Sequence, residues 1–261
     1  MASLTVSALA FALAIVVAVR STWSPCGISM LSTLTPLGER SRGHAYGATV
    51  AWFVAGAVAG GAVLGGLLAG LAAVVDLCHL SATTVAGLAV AAAAVTVTSD
   101  LEVAGFHLPR IPRQVDENWT GRYRRWVYAA GFGAQIGVGV STYVMTAGVY
   151  LMMVLAALTG RPVVALAVGT CFGLVRGLAI LCGVRLRTPE AIRAFHRRFE
   201  TAGPVSLQVA VIAQFNVLAV SLAAATDAPY GLVMVVVNGP LLCRYALRWV
   251  APRIRARRRS A

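Results

Sequence analysis

The sequence YGATVAWFVAGAVAGGAVLGGLLAGLAAVV occupies residues 46–75 and contains no charged side chain. A helix needs about 20 mostly apolar residues to cross the hydrocarbon core of a bilayer, and this stretch exceeds that length. Backbone N–H and C=O groups find no water in hydrocarbon, so the stretch must satisfy them internally as a helix. Residues 46–75 therefore predict a membrane-spanning helix, and further apolar segments lie on both sides of it.

The composition of the whole chain also indicates a membrane protein. Hydrophobic residues make up 59% of the 261 residues, charged residues make up 12%, and the mean hydropathy is +0.79. A soluble domain carries about 25% charged residues and could not hide this much apolar surface in one core. The net charge of +13 comes from Arg alone, because the chain contains no Lys. These Arg residues lie between apolar segments, where they indicate topology and contact with anionic lipid, so we expect no nucleic-acid partner.

The apolar segments and the Arg residues between them predict how the chain crosses the bilayer. The segments lie at about 4–37, 46–75, 82–98, 126–158, 162–184, 204–225 and 229–249. The first, third and fifth connections and the C-terminal tail hold most of the charge, through Arg40, Arg42, Arg110, Arg113, Arg122, Arg124, Arg125, Arg185, Arg187, Arg193, Arg197, Arg198, Arg253, Arg255, Arg257, Arg258 and Arg259. Because positive loops stay cytoplasmic, we expect a multi-pass protein of the cell membrane with its N-terminus outside and its C-terminus inside. This orientation requires residues 229–249 to form a seventh span. Residues 188–199 predict a separate amphipathic helix on the inner surface.

Two of the segments are too long to be single straight spans. Residues 4–37 and 126–158 would each extend about 50 Å as helices, against a hydrocarbon core of about 30 Å. The first is interrupted at Pro25 and the second between Gly137 and Thr142. Each is followed by two ordinary spans, and the two halves begin on opposite sides of the membrane. Broken helices at matching positions of inverted halves indicate a site between them.

This pattern predicts an all-α polytopic membrane protein of two inverted three-helix repeats plus a seventh helix. The expected divisions are a first repeat at 1–98, a cytoplasmic linker at 99–125, a second repeat at 126–225, and a seventh helix with a basic tail at 226–261.

The residues around the first break resemble a known family. Ser24-Pro25-Cys26-Gly27, with the stretch that ends at Pro36-Leu37, is similar to the first motif of the CcdA/DsbD-type cytochrome c biogenesis transmembrane proteins, and GFGAQIG at 131–137 is similar to the approach to the second. In that family a Cys beside a Pro in the first helix of each repeat shuttles reducing equivalents. The resemblance covers about residues 4–225. It implies a thiol-redox protein with a cytoplasmic thioredoxin-like donor and an extracytoplasmic acceptor. The chain departs from the family at Ser141, which aligns with the second cysteine and cannot perform thiol–disulfide exchange.

The candidate site residues lie at the two breaks and in the fifth span. The resemblance makes Cys26 the candidate redox thiol, whereas packing in the bundle is its plain structural reading. Pro25, Gln135 and Ser141 line the predicted path at the breaks. Arg176 is a charge inside a span, which marks a pathway, an anion or an ion pair unless it snorkels to the inner face. The five cysteines form no C-x-x-C pair, and we expect neither a metal nor a cofactor.

Two other functions fit the same pattern. A small-solute permease would use the two broken helices and Arg176, and would need no second thiol. A non-catalytic membrane subunit would pack through the small-x-x-x-small glycines of residues 56–70, as a homo- or hetero-oligomer. The sequence leaves open whether the protein is an enzyme.

Overall fold

A computed structural model of the protein describes residues 2–109, 118–140 and 142–226, and the regular elements in these residues are helices. The α-helices are α1 (Ala2–Arg20), α2 (Pro25–Thr33), α3 (Pro36–Ser41), α4 (Tyr46–Leu77), α5 (Ala82–Asp100), α6 (Trp119–Arg122), α7 (Arg125–Val138), α8 (Gly148–Leu158), α9 (Pro162–Leu178) and α10 (Pro189–Thr226). Short 3₁₀ segments cover Ser21–Trp23, Val103–Gly105 and Ala179–Gly183.

The helices are long and apolar enough to confirm an all-α polytopic membrane protein. Five candidate spans lie in the described residues: Leu4–Trp23, Tyr46–Leu77, Ala82–Asp100, Pro162–Gly183 and Pro189–Thr226. The shorter α8 is also apolar. On α4 the exposed side chains Val63, Leu67, Leu71 and Val74 repeat at helical spacing, so they form an apolar stripe that suits contact with lipid.

Both over-long segments are interrupted where the sequence predicts. The helix α1 ends at Arg20, and α2 begins at Pro25 after a turn of 3₁₀ helix. In the second segment α7 ends at Val138, and α8 begins at Gly148 after residues 142–147, which have no regular structure. Proline and glycine explain these positions, since Pro25 lacks a backbone N–H and Gly139 adopts a positive φ of 76°.

The last described helix differs from the prediction. A surface helix from residue 188 and a separate span at 204–225 were expected, but α10 runs without interruption from Pro189 to Thr226. Pro204 lies inside it and removes a single backbone donor, which does not end the helix because α10 packs along α1 and α5. The predicted seventh span at 229–249, with the basic tail, lies outside the described residues.

The helix packing has a regular pattern. The long helix α4 packs against α7 and α9, α5 packs against α10, and α1 packs against α8, α9 and α10. The first predicted span thus contacts the fifth, and the second contacts the fourth. The division of the chain into inverted repeats at the predicted boundaries stays a prediction.

Glycines set how closely α4 approaches its neighbours. A Cβ added at Gly56 or Gly60 would collide with the carbonyl groups of Ala130 and Ala134 on α7. A Cβ added at Gly61 would lie 2.6 Å from the carbonyl oxygen of Gly169 on α9. The backbones of three helices are therefore in direct contact, and this contact positions the end of α7 at the second break.

Candidate functional site

The first break is held in place by α10. Ser24 is the N-cap of α2, where its hydroxyl accepts a hydrogen bond from the Gly27 N–H at 3.1 Å. The indole Nε1 of Trp23 donates to the Phe199 carbonyl at 2.7 Å. Arg20, the last residue of α1, donates from Nη1 to the Ser206 hydroxyl at 2.8 Å and to the Gly203 carbonyl at 3.1 Å. These bonds fix the broken end of α1 against one stretch of α10.

The second break is stabilised at the start of α8 by a carboxylate from another helix. Asp100, the last residue of α5, accepts hydrogen bonds from the Ala147 N–H at 2.7 Å and from Nε2 of Gln214 at 2.7 Å. It also accepts one from the Thr146 hydroxyl. The N-cap of α8, Ala147, provides no side-chain cap of its own, so Asp100 supplies it and places a negative charge at the positive end of the helix dipole.

The other side of the same break is stabilised by a cation. Arg176 of α9 is 3% exposed and donates from Nη1 to the Ile136 carbonyl at 2.7 Å, near the end of α7. Its guanidinium also lies 5.6 Å from the centre of the Phe172 ring. A positive charge is favourable at the C-terminal end of a helix, where carbonyls lack helical partners. Asp100 of α5 therefore compensates the helix dipole at the start of α8, and Arg176 of α9 compensates it near the end of α7.

A cavity connects the two breaks. It has a volume of about 310 Å³, and its lining includes Arg20 from the first break, Asp100 from α5, Tyr143 and Met145 from the second break, and Leu207 from α10. A larger cavity of about 450 Å³ lies at the other end of α1, away from both breaks. We take the smaller cavity as the candidate site, because it joins two interrupted helices and is lined by the buried Arg20 and the partly buried Asp100.

The structure brings together two of the residues singled out from the sequence. Cys26 is 1% exposed in the first turn of α2 and interacts electrostatically with Arg176. Pro25 is exposed at the first position of α2. Gln135 is partly buried in α7, directly before the Ile136 carbonyl that accepts from Arg176. Ser141 lies outside the described residues. The roles proposed for these residues stay predictions.

Sequence reasoning missed the residues that line the cavity. Arg20 and Asp100 are not among the candidate site residues, and neither is Gln214, which donates to Asp100. Asp100 lies two residues beyond the predicted third span, at 82–98, so it was counted as loop. Arg20 lies inside the first apolar segment, at about 4–37, and no role is expected for it from the sequence. The sequence does contain an acidic residue, Asp100, at the end of one span and an amide, Gln214, within another. The hydrogen bond between them depends on the tertiary fold.

A second polar cluster lies at the N-terminal ends of α4 and α7. Glu39 of α3 is 0% exposed and accepts hydrogen bonds from the Tyr128 hydroxyl at 2.9 Å, from Arg42 at 2.7 Å and from the Thr49 hydroxyl. Nδ1 of His44 lies 3.6 Å from the same carboxylate. The cluster ties α3, α4 and α7 together through a single buried carboxylate.

The described ranges contain no group of three or more His, Cys, Asp and Glu side chains that could hold a metal ion. The expectation that the protein uses neither a metal nor a cofactor stays a prediction.

Comparison with known proteins identifies three relatives, each a methylamine utilization protein MauF. The relative from Paracoccus denitrificans is 30% identical over 204 residues, which cover 76% of this chain and 73% of the relative. The relative from Paracoccus versutus is 28% identical over 218 residues, covering 77% and 75% of the two chains. The relative from Methylophilus methylotrophus is 28% identical over 201 residues, covering 72% and 66%. No protein-family model matches the chain, and no solved structure matches it.

These relatives correct the family and the function expected from the sequence. The chain was expected to be a CcdA/DsbD-type thiol-redox protein of cytochrome c biogenesis, but its relatives carry the name of a different family. The resemblance rested on one short motif, and Ser-Pro-Cys-Gly at a helix start is explained by capping, with Ser24 as N-cap and Pro25 at the first position. The expected thioredoxin-like donor and extracytoplasmic acceptor have no support once the redox function is set aside. Neither the permease nor the non-catalytic subunit gains support from the relatives.

Proposed function

Because the chain belongs to the MauF family of methylamine utilization proteins, we propose that it acts in methylamine utilization from within the cell membrane. The observation that carries this proposal is the match to the Paracoccus denitrificans relative over about three quarters of both chains. The apolar helices support the location, because Tyr46–Leu77 and its neighbours would expose large apolar surfaces to water outside a bilayer.

The cavity between the two helix breaks is the proposed centre of this activity. Arg and Asp side chains are seldom buried unless they are paired or serve a function, and both residue types lie here at the ends of membrane spans. Arg20 and Asp100 both line the cavity, and each also fixes an interrupted helix. Arg176 and Cys26 belong to the same functional region in this proposal, because Arg176 stabilises the other end of the second break.

A growth experiment tests the proposed role. Deleting the gene from the organism that makes this protein should reduce its growth rate at least twofold with methylamine as the sole nitrogen source, and should leave growth on ammonium unchanged. The strain should recover with the wild-type gene and with a Glu190→Gln variant, because Glu190 pairs with Arg193 on an exposed surface far from the cavity. An Asp100→Asn variant present at the same level in the membrane should grow like the deletion strain. Unchanged growth of the deletion strain on methylamine would contradict the proposal.

The proposed orientation places the N-terminus outside the cell and the odd-numbered connections in the cytoplasm. The Arg distribution supports it, since Arg40 and Arg42 precede α4, whereas the connection after α4 has no Arg.

Native cysteines allow this orientation to be tested. Cys78 is exposed in the connection between α4 and α5, and it should react with a membrane-impermeant maleimide in intact spheroplasts. Cys182 is also exposed, but at the cytoplasmic end of the fifth span, so it should react only after lysis. A Cys78→Ser variant serves as the control and should lose the labelling of intact spheroplasts. Labelling of Cys78 only after lysis would reverse the proposed orientation.

A further inference from the structure

Arg20 and Asp100 line the cavity between the helix breaks without pairing with each other, and the exposed Glu102 is a third charged residue of the lining. Arg20 directs its Nη1 to the Gly203 carbonyl and the Ser206 hydroxyl on α10, and Asp100 accepts from groups on α8 and α10. No hydrogen bond or ion pair joins the Arg20 and Asp100 side chains, although their opposite charges attract each other. The cavity therefore has a positive wall at Arg20 and a negative wall at Asp100. Each of the two side chains is held in place by its own hydrogen bonds to the protein.

Each wall has hydrogen-bonding capacity that the described residues leave unused. Arg20 is 8% exposed, and its buried Nε has no hydrogen-bond partner among the described residues. Asp100 accepts from three donors, whereas a carboxylate offers about four acceptor positions. Behind it, Oε1 of the fully buried Gln214 is a further acceptor that lacks a donor within the described part of the chain. Gln214 does not itself line the cavity, but Arg20 and Asp100 do. A buried polar group without a partner is costly, so the free capacity of Arg20 and Asp100 points to a ligand with both acceptors and donors.

From these observations we propose that the cavity binds a small zwitterion, a molecule with an ammonium group at one end and a carboxylate at the other. The carboxylate lies toward Arg20, whose guanidinium donates to it, and the ammonium group lies toward Asp100. A volume of about 310 Å³ suits a molecule of amino-acid size, at the lower end of the range of small-molecule sites.

Simple ions fit this cavity less well than a zwitterion. A lone cation beside Asp100 also faces Arg20, and a lone anion beside Arg20 also faces Asp100, so each meets a repulsion as well as an attraction. Glu102 also lines the cavity, but it is exposed, so water screens its charge. In a site partly screened from water these terms are larger than at a surface. A ligand carrying both charges gains both attractions and remains neutral overall. This binding goes beyond the proposed role in methylamine utilization, and either proposal can fail while the other stands.

The proposal can be tested on the wild-type protein by comparing the binding of zwitterions with the binding of molecules that carry only one of the two charges. The probes are ω-amino acids from glycine to 6-aminohexanoate, each beside the alkylamine and the carboxylic acid of the same chain length. The purified full-length protein in lipid nanodiscs would be titrated by isothermal calorimetry. At least one amino acid should bind at least tenfold more tightly than both of its single-charge analogues. Because the amino acids differ in chain length, the distance between their ammonium and carboxylate groups varies and can match the distance between Arg20 and Asp100.

Each alternative occupant gives a distinct result that overturns the proposal. Alkylamines that bind as tightly as the amino acids indicate a cation site, and carboxylic acids that do so indicate an anion site. If none of the three classes binds, the cavity holds only water.

Variants of the lining residues separate recognition from stability. Arg20→Gln should remove the preference for an amino acid over its alkylamine, and Asp100→Asn should remove the preference over its carboxylic acid. Because either variant can weaken the fold, Leu207→Trp provides a third test: it narrows the cavity without changing a charge, and should reduce binding of all amino acids at least tenfold. Binding that is unaffected by Leu207→Trp would place the ligand elsewhere.

Discussion

Replacing Gly60 with leucine should prevent most of the protein from reaching its folded state. Gly60 lies on the face of α4 that contacts α7, where even a Cβ would collide with the Ala134 carbonyl. The obstacle is backbone, so no side-chain rotation relieves it, and α7 would have to move away from α4. Overpacking of a core usually costs about 1–3 kcal/mol, and we expect a cost of about 3 kcal/mol or more here because two helix backbones must separate. Fluorescence-detected size-exclusion chromatography of the detergent-solubilised protein would show an aggregated or absent peak.

The same helix supplies the control. Gly66 lies on α4, about one and two-thirds turns further along, and a Cβ added there meets nothing within 4 Å. Gly66→Leu should therefore give a normal peak and a thermal stability close to that of the wild type. Equal behaviour of the two leucine variants would show that α4 and α7 do not pack as described.

Removing the Glu39 carboxylate should cause the second large loss of stability. Glu39→Ala leaves the Tyr128 and Thr49 hydroxyls without their acceptor and Arg42 without its ion pair. Breaking a buried ion pair by removing one partner typically costs about 3–5 kcal/mol, because the remaining groups stay buried and unsatisfied. We expect a cost in that range, measured as a lower midpoint of thermal unfolding in nanodiscs. Glu39→Gln should lose less, since its amide oxygen still accepts one or two of these hydrogen bonds.

An exposed pair with the same spacing provides the matched control. Glu190 and Arg193 are three residues apart on α10, as Glu39 and Arg42 are on α3, but their side chains are 73% and 67% exposed. Exposed ion pairs contribute about 0–1 kcal/mol, so Glu190→Ala should hardly change the midpoint. A similar small effect for Glu39→Ala would mean that water reaches the Glu39 cluster.

The sequence predicts most of the membrane fold because its signals are local. Unbroken apolar stretches such as 46–75 require helices, and Pro25 and the glycines near residue 139 mark the breaks correctly. The local rule fails at Pro204, where packing of α10 against two other helices outweighs the loss of one backbone donor. Proline thus predicts a helix break only where packing against neighbouring helices does not keep the helix continuous.

The candidate site is less predictable because it depends on residues distant in sequence. Asp100 and Gln214 are separated by 114 positions, and nothing near either residue indicates that they meet. The sequence marks Arg176 as a charge inside a span, and in the structure its guanidinium donates to the Ile136 carbonyl, 40 positions earlier in the chain. The family assignment failed for a related reason. A four-residue motif that caps a helix can arise in unrelated chains, because capping alone favours serine followed by proline.

The attachment of the first break to α10 has a consequence for assembly in the membrane. Trp23 and Arg20 hydrogen-bond to residues 176 to 186 positions later in the chain, on the last of the described helices. During synthesis α1 is inserted long before α10 exists, and until then the Arg20 guanidinium must be solvated by water or lipid headgroups. Insertion of α10 therefore completes the candidate site. A nascent chain halted before residue 199 contains both interrupted helices but lacks the partners that hold the first interruption in place.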